Sequence, residues 1–128
     1  MTSLSVSESG GTWLVRSDDE WQVAGRDGSP TPLSESMVPA WPLLELSPEA
    51  GKQQIDALGL GFPYAELCAS ALESSSGYWQ DHAIDWLTVL DLPASARLRV
   101  AAEQVLARKL ASQNRRHALS RWLRATAS

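Results

Sequence analysis

Residues 78–90 of the chain have the sequence YWQDHAIDWLTVL, and this stretch decides the fold class. Its apolar residues recur every three or four positions, a spacing that lines them up along one side of an α-helix. We expect Asp81, Asp85 and Thr88 to face away from the core. The apolar stripe is made of Trp79, Ala83, Trp86 and Leu90, widened by Ile84, Leu87 and Val89.

The same period, with helix-stop signals between the segments, indicates further helices on both sides of this one. Ser47 and Pro48 form a helix start, and Gly59 is a typical stop. Ser112 is the expected N-cap of the last helix. Short connections require the last three helices to pack antiparallel to their neighbours. The four additional helices are predicted at about residues 48–58, 64–73, 94–110 and 113–125.

The N-terminal part of the chain has a different pattern. Residues 12–16 and 20–24 flank a short turn, which predicts a β-hairpin. Residues 1–11 are expected to be frayed. Residues 29–47 contain four prolines and several apolar residues, so we expect an ordered strap there and consider a helix unlikely to form.

Together these patterns predict an α+β protein that is mainly α. A small N-terminal β-hairpin is followed by a bundle or HEAT-like stack of about five helices. At 128 residues the chain is long enough for a hydrophobic core but too short for two domains, so we expect residues 1–128 to form a single domain. We divide it into residues 1–47, with the hairpin and the strap, and residues 48–128, with the helices.

The composition is that of an ordinary globular protein, with 44% hydrophobic and 20% charged residues. A lone cysteine, Cys68, fits a reducing compartment. The sequence shows neither a signal peptide nor an apolar run long enough for a membrane span. We therefore expect a cytoplasmic protein that does not bind a membrane.

Signals for catalysis or for a cofactor are weak. His82 has Asp81 beside it and Asp85 three residues later, which could orient a general base, but such histidines are more often structural. Cys68 lies on an apolar stripe and is expected to be a core residue. Neither a zinc-ligand spacing nor a phosphate-binding loop is present in the sequence. We expect no enzymatic activity, no metal and no cofactor.

Charge is divided unevenly between the two halves of the chain. Residues 1–75 carry three basic residues against eleven acidic ones, a formal charge of −8. Residues 76–128 carry eight basic residues against four acidic ones, a formal charge of +4. Such asymmetry indicates either a charged partner or internal pairing of two charged surfaces.

The acidic residues around the predicted hairpin turn form the first candidate site. Asp18, Asp19, Glu20 and Asp27 would attract a cationic protein, with Trp21 as an aromatic anchor. Complementary charge raises the association rate, and a buried aromatic side chain supplies binding energy. We expect this surface to bind a basic protein partner.

Basic residues of the last helix give a competing use for the same acids. Arg115 and Arg116 lie in its first turn, where positive charge opposes the helix dipole, so we expect nearby carboxylates of the acidic half to pair with them. His117, Arg121 and Arg124, together with Arg116, form a secondary basic face. This face is either solvated or a docking stripe for an acidic surface or a phosphate.

The last two helices also resemble a helix-turn-helix, in which a basic second helix enters the DNA major groove. The connection is two residues too long, and Ala111 and its neighbours replace the usual turn glycine. The acidic net charge of −4 further disfavours contacts with DNA phosphates. A DNA-binding regulator therefore stays an alternative, and nucleic acid is not the expected partner.

In its size, its acidity and its order of β then helical segments, the chain resembles the immunity proteins that bacteria pair with secreted toxins. That resemblance is general and has no diagnostic motif, so it assigns no residue. It implies a non-enzymatic protein that neutralises a cognate, often basic, toxin domain by direct binding. The other alternative is a generic helical interaction or adaptor domain.

Overall fold

The computed structural model describes residues 2–5, 13–17, 20–24, 30–59 and 61–126. They form two compact units, Met1–Phe62 and Pro63–Ser128. The first unit holds the strands, a 3₁₀ helix and one α-helix. In the described part of the second unit, all the secondary-structure elements are α-helices. The predicted class, α+β and mainly α, is confirmed.

A four-stranded antiparallel sheet forms the first half of the first unit, with its strands paired in chain order. The predicted hairpin is present as β2 and β3, in which Ser17 pairs with Glu20. A strand on each side of this hairpin was not predicted, and the expectation of fraying is wrong for β1. The strands are β1 (Thr2–Ser5), β2 (Trp13–Ser17), β3 (Glu20–Ala24) and β4 (Pro30–Pro32).

Alternation along β2 and β3 gives the sheet an inner and an outer face. Leu14, Trp21 and Val23 are buried on the inner face. Trp13 and Val15 of β2 share the outer face with Glu20, Gln22 and Ala24 of β3, because directly paired residues point the same way. Trp13 and Glu20 are exposed on this face, whereas Val15 is buried. β4 lies at the edge of the sheet, where proline is tolerated because no further strand needs its missing N–H.

The proline-rich segment forms a 3₁₀ helix over Val38–Glu45, which corrects the expectation that no helix forms there. Pro39 occupies the first turn, where its missing N–H costs no hydrogen bond. Helical bonds from Ala40 N to Met37 O and from Leu46 N to Leu43 O span three residues. The prediction of order was right, since this helix buries Ala40, Leu43 and Leu44.

Helix α1 (Pro48–Leu58) begins and ends where the sequence predicted. Ser47 holds the N-cap position, although its hydroxyl accepts no capping hydrogen bond. The helix contacts β1 and the 3₁₀ helix, so it groups with the sheet. The division between the two parts of the chain therefore falls after Phe62, whereas we had placed it after residue 47.

Four helices form a bundle in the second unit. Helix α2 contacts α3 and α4, and α5 also contacts α3 and α4, which closes a ring of four. Within the described residues, no helix is long and apolar enough to cross a bilayer. The helices are α2 (Tyr64–Leu72), α3 (Gly77–Val89), α4 (Ala96–Ala107) and α5 (Gln113–Thr126).

Trp86 is the largest fully buried side chain of the bundle, as the stripe of α3 predicted. It stacks on Tyr64 with ring centroids 6.2 Å apart. Gln80 is also buried, and its Nε2 donates to Ser74 O at 2.7 Å and, more weakly, to Leu72 O at 3.4 Å. Val89 corrects the predicted stripe, because its side chain is half exposed.

The connection between α4 and α5 is an unusual turn. Lys109 and Ala111 both have left-handed backbone conformations, with φ of 54° and 64°. Such conformations favour glycine because a Cβ atom is crowded there. The turn is closed by a hydrogen bond from Leu110 N to Val105 O at 2.9 Å.

Candidate functional site

Only part of the predicted acidic site can be located. Asp18, Asp19 and Asp27 lie outside the described residues. Glu20 is exposed at the start of β3, where its carboxylate accepts a hydrogen bond from Gln22 Nε2 at 3.3 Å. Glu20 is therefore the one described carboxylate of the predicted set.

Trp21 is a core residue, which corrects its predicted role as a surface anchor. Its side chain is only 6% exposed. Its ring meets Phe62 edge to face with centroids 5.1 Å apart, and the guanidinium of Arg16 lies over it at 4.9 Å. Its Nε1 has no acceptor within the described residues. The tryptophan is thus held inside its unit and cannot reach a partner.

Trp13, and not Trp21, is the tryptophan of the hairpin that is exposed at the surface. It is 41% exposed on the outer face of the sheet, which also carries Glu20. The sequence gives little sign of this role, because the residues of β2 alternate poorly between apolar and polar. The register of the hairpin would have identified it. Side chains alternate between the faces along each strand, so when Ser17 pairs with Glu20, Trp13 and Trp21 must lie on opposite faces.

Other carboxylates of the first unit also face solvent. Glu35 and Glu49 are exposed, and no described basic residue lies within ion-pair distance of either one. Lys52 pairs with Asp56 at 2.6 Å, one helical turn away. Over residues 1–62 the sequence has nine acidic residues and three basic ones. The first unit therefore carries a clear surplus of negative charge.

In the second unit, by contrast, several carboxylates are paired internally. Arg97 Nη2 lies 2.7 Å from Glu73 Oε1, and Arg97 Nε donates to Glu73 Oε2 at 3.0 Å. These hydrogen bonds from Arg97 lower the pKa of Glu73. The bond also stabilises the start of α4 against the end of α2.

Arg115 makes the second internal pair, and its partners correct our expectation. Its Nε and Nη2 each donate to a different oxygen of Asp85 at 3.0 Å, and its Nη1 lies 3.7 Å from Asp81. The hydrogen bonds to Asp85 raise the pKa of Arg115. Asp81 also accepts from Ser112 N at 2.9 Å. These acids belong to α3 and not to the N-terminal half, and they face α5 instead of turning away.

The predicted basic face lies along the outside of α5. His117, Arg121 and Arg124 are exposed, at spacings that place them along one side of the helix. Arg116 is half-buried, and its Nη1 donates to Lys109 O at 2.6 Å, near the start of the α4–α5 turn. This face carries positive charge without any acidic residue between positions 104 and 126.

A shallow groove of about 360 Å³ runs beside this face, between the end of α3 and the middle of α5. Arg121 lies on one side of it and Asp91 on the other. Charges of opposite sign across an open groove do not define one ligand. Its lining consists of Thr88, Val89, Asp91, Ala118, Arg121 and Trp122.

An aromatic cluster that we had not predicted lies at the start of α3. Tyr78 is 52% exposed and meets Trp79 edge to face at 4.9 Å and His82 at 4.7 Å. The two carboxylates near His82 in sequence are bound elsewhere: Asp81 accepts from Ser112 N, and Asp85 accepts from Arg115. His82 therefore belongs to an aromatic surface.

Cys68 is buried, as its position on the apolar stripe of α2 predicted. Burial raises the pKa of its thiol to about 12, because the charged thiolate loses its hydration there. A thiol with such a pKa is a poor nucleophile at neutral pH. Within the residues that the structure describes, no group of three or more metal-ligating side chains comes together.

The connection between α4 and α5 spans residues 108–112, and two of its residues have left-handed conformations. Comparison of the chain with protein-family models, with curated proteins and with solved structures finds no match.

Proposed function

We propose that this protein is a non-enzymatic binding module of the toxin-immunity type, which neutralises a basic toxin domain by covering it. The general resemblance described above motivates the class. The single observation that carries the proposal is the outer face of the sheet. There an exposed tryptophan, Trp13, shares one surface with an exposed carboxylate, Glu20, on a strongly acidic unit.

This face has the two properties that a cationic partner needs. Trp13 and Glu20 lie at opposite ends of the β2–β3 ladder, since Trp13 pairs with Ala24 and Glu20 with Ser17. Four residues of extended strand separate these pairs by roughly 13 Å. An exposed aromatic side chain and a separate charge on one surface are the two kinds of contact that protein interfaces combine.

The two residues should act on different steps of binding. An exposed charge at the rim attracts a partner over distance, so Glu20 contributes mainly to the association rate. Trp13 buries its ring only after contact, so it contributes mainly to the lifetime of the complex. Kinetic measurements can separate these contributions.

The test begins with the gene next to the one for this protein. Its product is expressed in bacteria under an inducible promoter, with and without this chain. We expect growth arrest from the neighbour alone and recovery on co-expression. Size-exclusion chromatography of the two purified proteins should then give a stable complex. A neighbour that is harmless, or toxicity that this chain leaves unchanged, would overturn the proposal.

Variants then locate the interface. Trp13→Ala should speed dissociation by about tenfold or more, as loss of a hot-spot aromatic does. Glu20→Lys should slow association several-fold, with an effect that shrinks at high salt. The matched controls are Val38→Ala, an exposed apolar residue off the sheet, and Glu103→Lys, the same charge change in the helical unit. Controls that weaken binding equally would refute this face as the interface.

A further inference from the structure

The helical unit has a surface of its own where α3 begins and the α4–α5 turn lies. We propose that this surface binds an acidic segment of a second protein. The proposal does not depend on the toxin-immunity function, because it uses different residues and a partner of opposite charge. It rests on an exposed aromatic cluster, an adjacent cationic turn and the hydrogen bonds that hold the two together.

The aromatic part consists of Tyr78, Trp79 and His82. Tyr78 is more than half exposed, and its edge-to-face contacts with both neighbours fix the orientation of its ring. Trp79 and His82 are partly exposed, with ring centroids 6.3 Å apart. Tyrosine and tryptophan are enriched in protein hot spots because they offer a large contact area at a small entropic cost. The cluster therefore presents a rigid aromatic surface that an apolar side chain of a partner can contact.

The cationic part is the α4–α5 turn. Arg108 and Lys109 are exposed, and Arg116 lies against the turn through its bond to Lys109 O at 2.6 Å. Backbone hydrogen bonds of the turn hold Lys109 in its left-handed conformation. The backbone that carries these positive charges is therefore held in one arrangement.

Asp81 joins the two parts. It lies next to His82 in α3, and its Oδ1 accepts from Ser112 N, at the end of the turn, at 2.9 Å. Asp81 and Asp85 share the charge of Arg115, so this network contributes one net negative charge. Arg108, Lys109 and Arg116 add three positive charges, which leaves the surface cationic.

An acidic protein segment suits this surface better than a nucleic acid. The chain offers three cations here, whereas duplex binding commonly engages about six to ten phosphates. The rings of Tyr78 and His82 also meet at 74°, so they do not form a row of parallel platforms on which successive bases could stack. A carboxylate-rich segment with one apolar residue matches three cations beside a small aromatic cluster.

The probe is a short fluorescein-labelled peptide of aspartate and glutamate around one leucine, with binding to the full chain measured by fluorescence anisotropy. Tyr78→Ala and Lys109→Glu should each weaken binding about tenfold, the cost of losing one hot-spot contact. Arg124→Glu makes the same kind of charge change on the secondary basic face, about 16 Å from the start of α5, and therefore tests whether the peptide binds there instead. It should weaken binding less than twofold. Circular dichroism verifies that each variant is folded.

Four outcomes would overturn the proposal. The first is an anisotropy that the peptide leaves unchanged at any accessible concentration. The second is equal weakening by Arg124→Glu and Lys109→Glu, which would show general charge attraction. The third is tighter binding of a single-stranded oligothymidylate with the same sensitivity to Tyr78→Ala, which would make nucleic acid the ligand. The fourth is self-association in light scattering that Lys109→Glu abolishes, which would make the occupant a second copy of this chain.

Discussion

Replacing Asp85 with asparagine should destabilise the helical unit by about 0.5–1 kcal/mol. Two parallel hydrogen bonds of 3.0 Å join Asp85 to Arg115, an arrangement stronger than a single contact. The side chains are 37% and 39% exposed, however, so water screens much of their attraction. Arg115 also lies in the first turn of α5, where a cation without its carboxylate costs about 0.3–1 kcal/mol. Both effects point to the upper half of the range for exposed ion pairs.

A double-mutant cycle isolates the contact itself. Asp85→Asn, Arg115→Ala and the double variant are unfolded in urea, and circular dichroism follows the helical signal. We expect a coupling energy of about 0.5–1 kcal/mol at low salt. It should shrink in 1 M salt, where the screening length falls to about 3 Å.

The control cycle uses Asp91→Asn and Arg121→Ala, which face each other across the open groove without an ion pair among the described contacts. Its coupling should be close to zero. A coupling for Asp85 and Arg115 no larger than this control would refute the assignment of partners. A clear coupling between Arg115 and Asp18 instead would restore the pairing that the sequence suggested.

Three further outcomes test the core. Trp86→Ala should cost about 3–5 kcal/mol as a large-to-small change at a buried site, whereas Arg121→Ala should cost less than about 0.5 kcal/mol at the surface; equal losses in urea unfolding would contradict the assigned faces. Gln80→Leu should cost about 1–3 kcal/mol, because it leaves the buried Leu72 carbonyl and the partly buried Ser74 carbonyl without their donor. Thermal unfolding measures this loss, and an unchanged midpoint would disprove the role of the amide. Cys68 should react with Ellman's reagent at pH 8 only after unfolding. The pKa of the Cys68 thiol is about 12 in the folded state, above the unfolded value of about 8.5. The contribution of the buried thiol to stability is therefore complete below pH 8 and decreases as pH rises. Rapid labelling of the native protein would contradict the burial of Cys68.

The helices could be predicted because their signals are local. Pro48 and Gly59 set the limits of α1 through fixed backbone preferences, and Trp86 marks the buried side of α3. The added strands β1 and β4 could not be predicted in the same way. β1 has the sequence TSLS and β4 the sequence PTP, so neither carries an alternating apolar pattern of its own. Each is a strand because it pairs with the neighbouring strand of the hairpin.

The candidate site was predicted less well, for a related reason. Charge composition indicates that a surface is acidic or basic, but ion-pair partners depend on which helices touch. Arg115 finds Asp85 thirty residues away because α3 and α5 pack together. Trp21 and Trp13 look equivalent in sequence, and only the register of the hairpin assigns one to the core and the other to the surface.

The turn between α4 and α5 is a place where a substitution could raise the free energy of unfolding of this chain. An alanine in the left-handed region costs roughly 1 kcal/mol relative to glycine. Ala111 nevertheless adopts φ of 64°, in a turn that is held by its own bond from Leu110 N to Val105 O and by bonds with α3 and α5. The turn therefore keeps its shape although its residues do not favour it. A single substitution, Ala111→Gly, would release the strain, so the sequence has room to absorb a destabilising change elsewhere in the bundle.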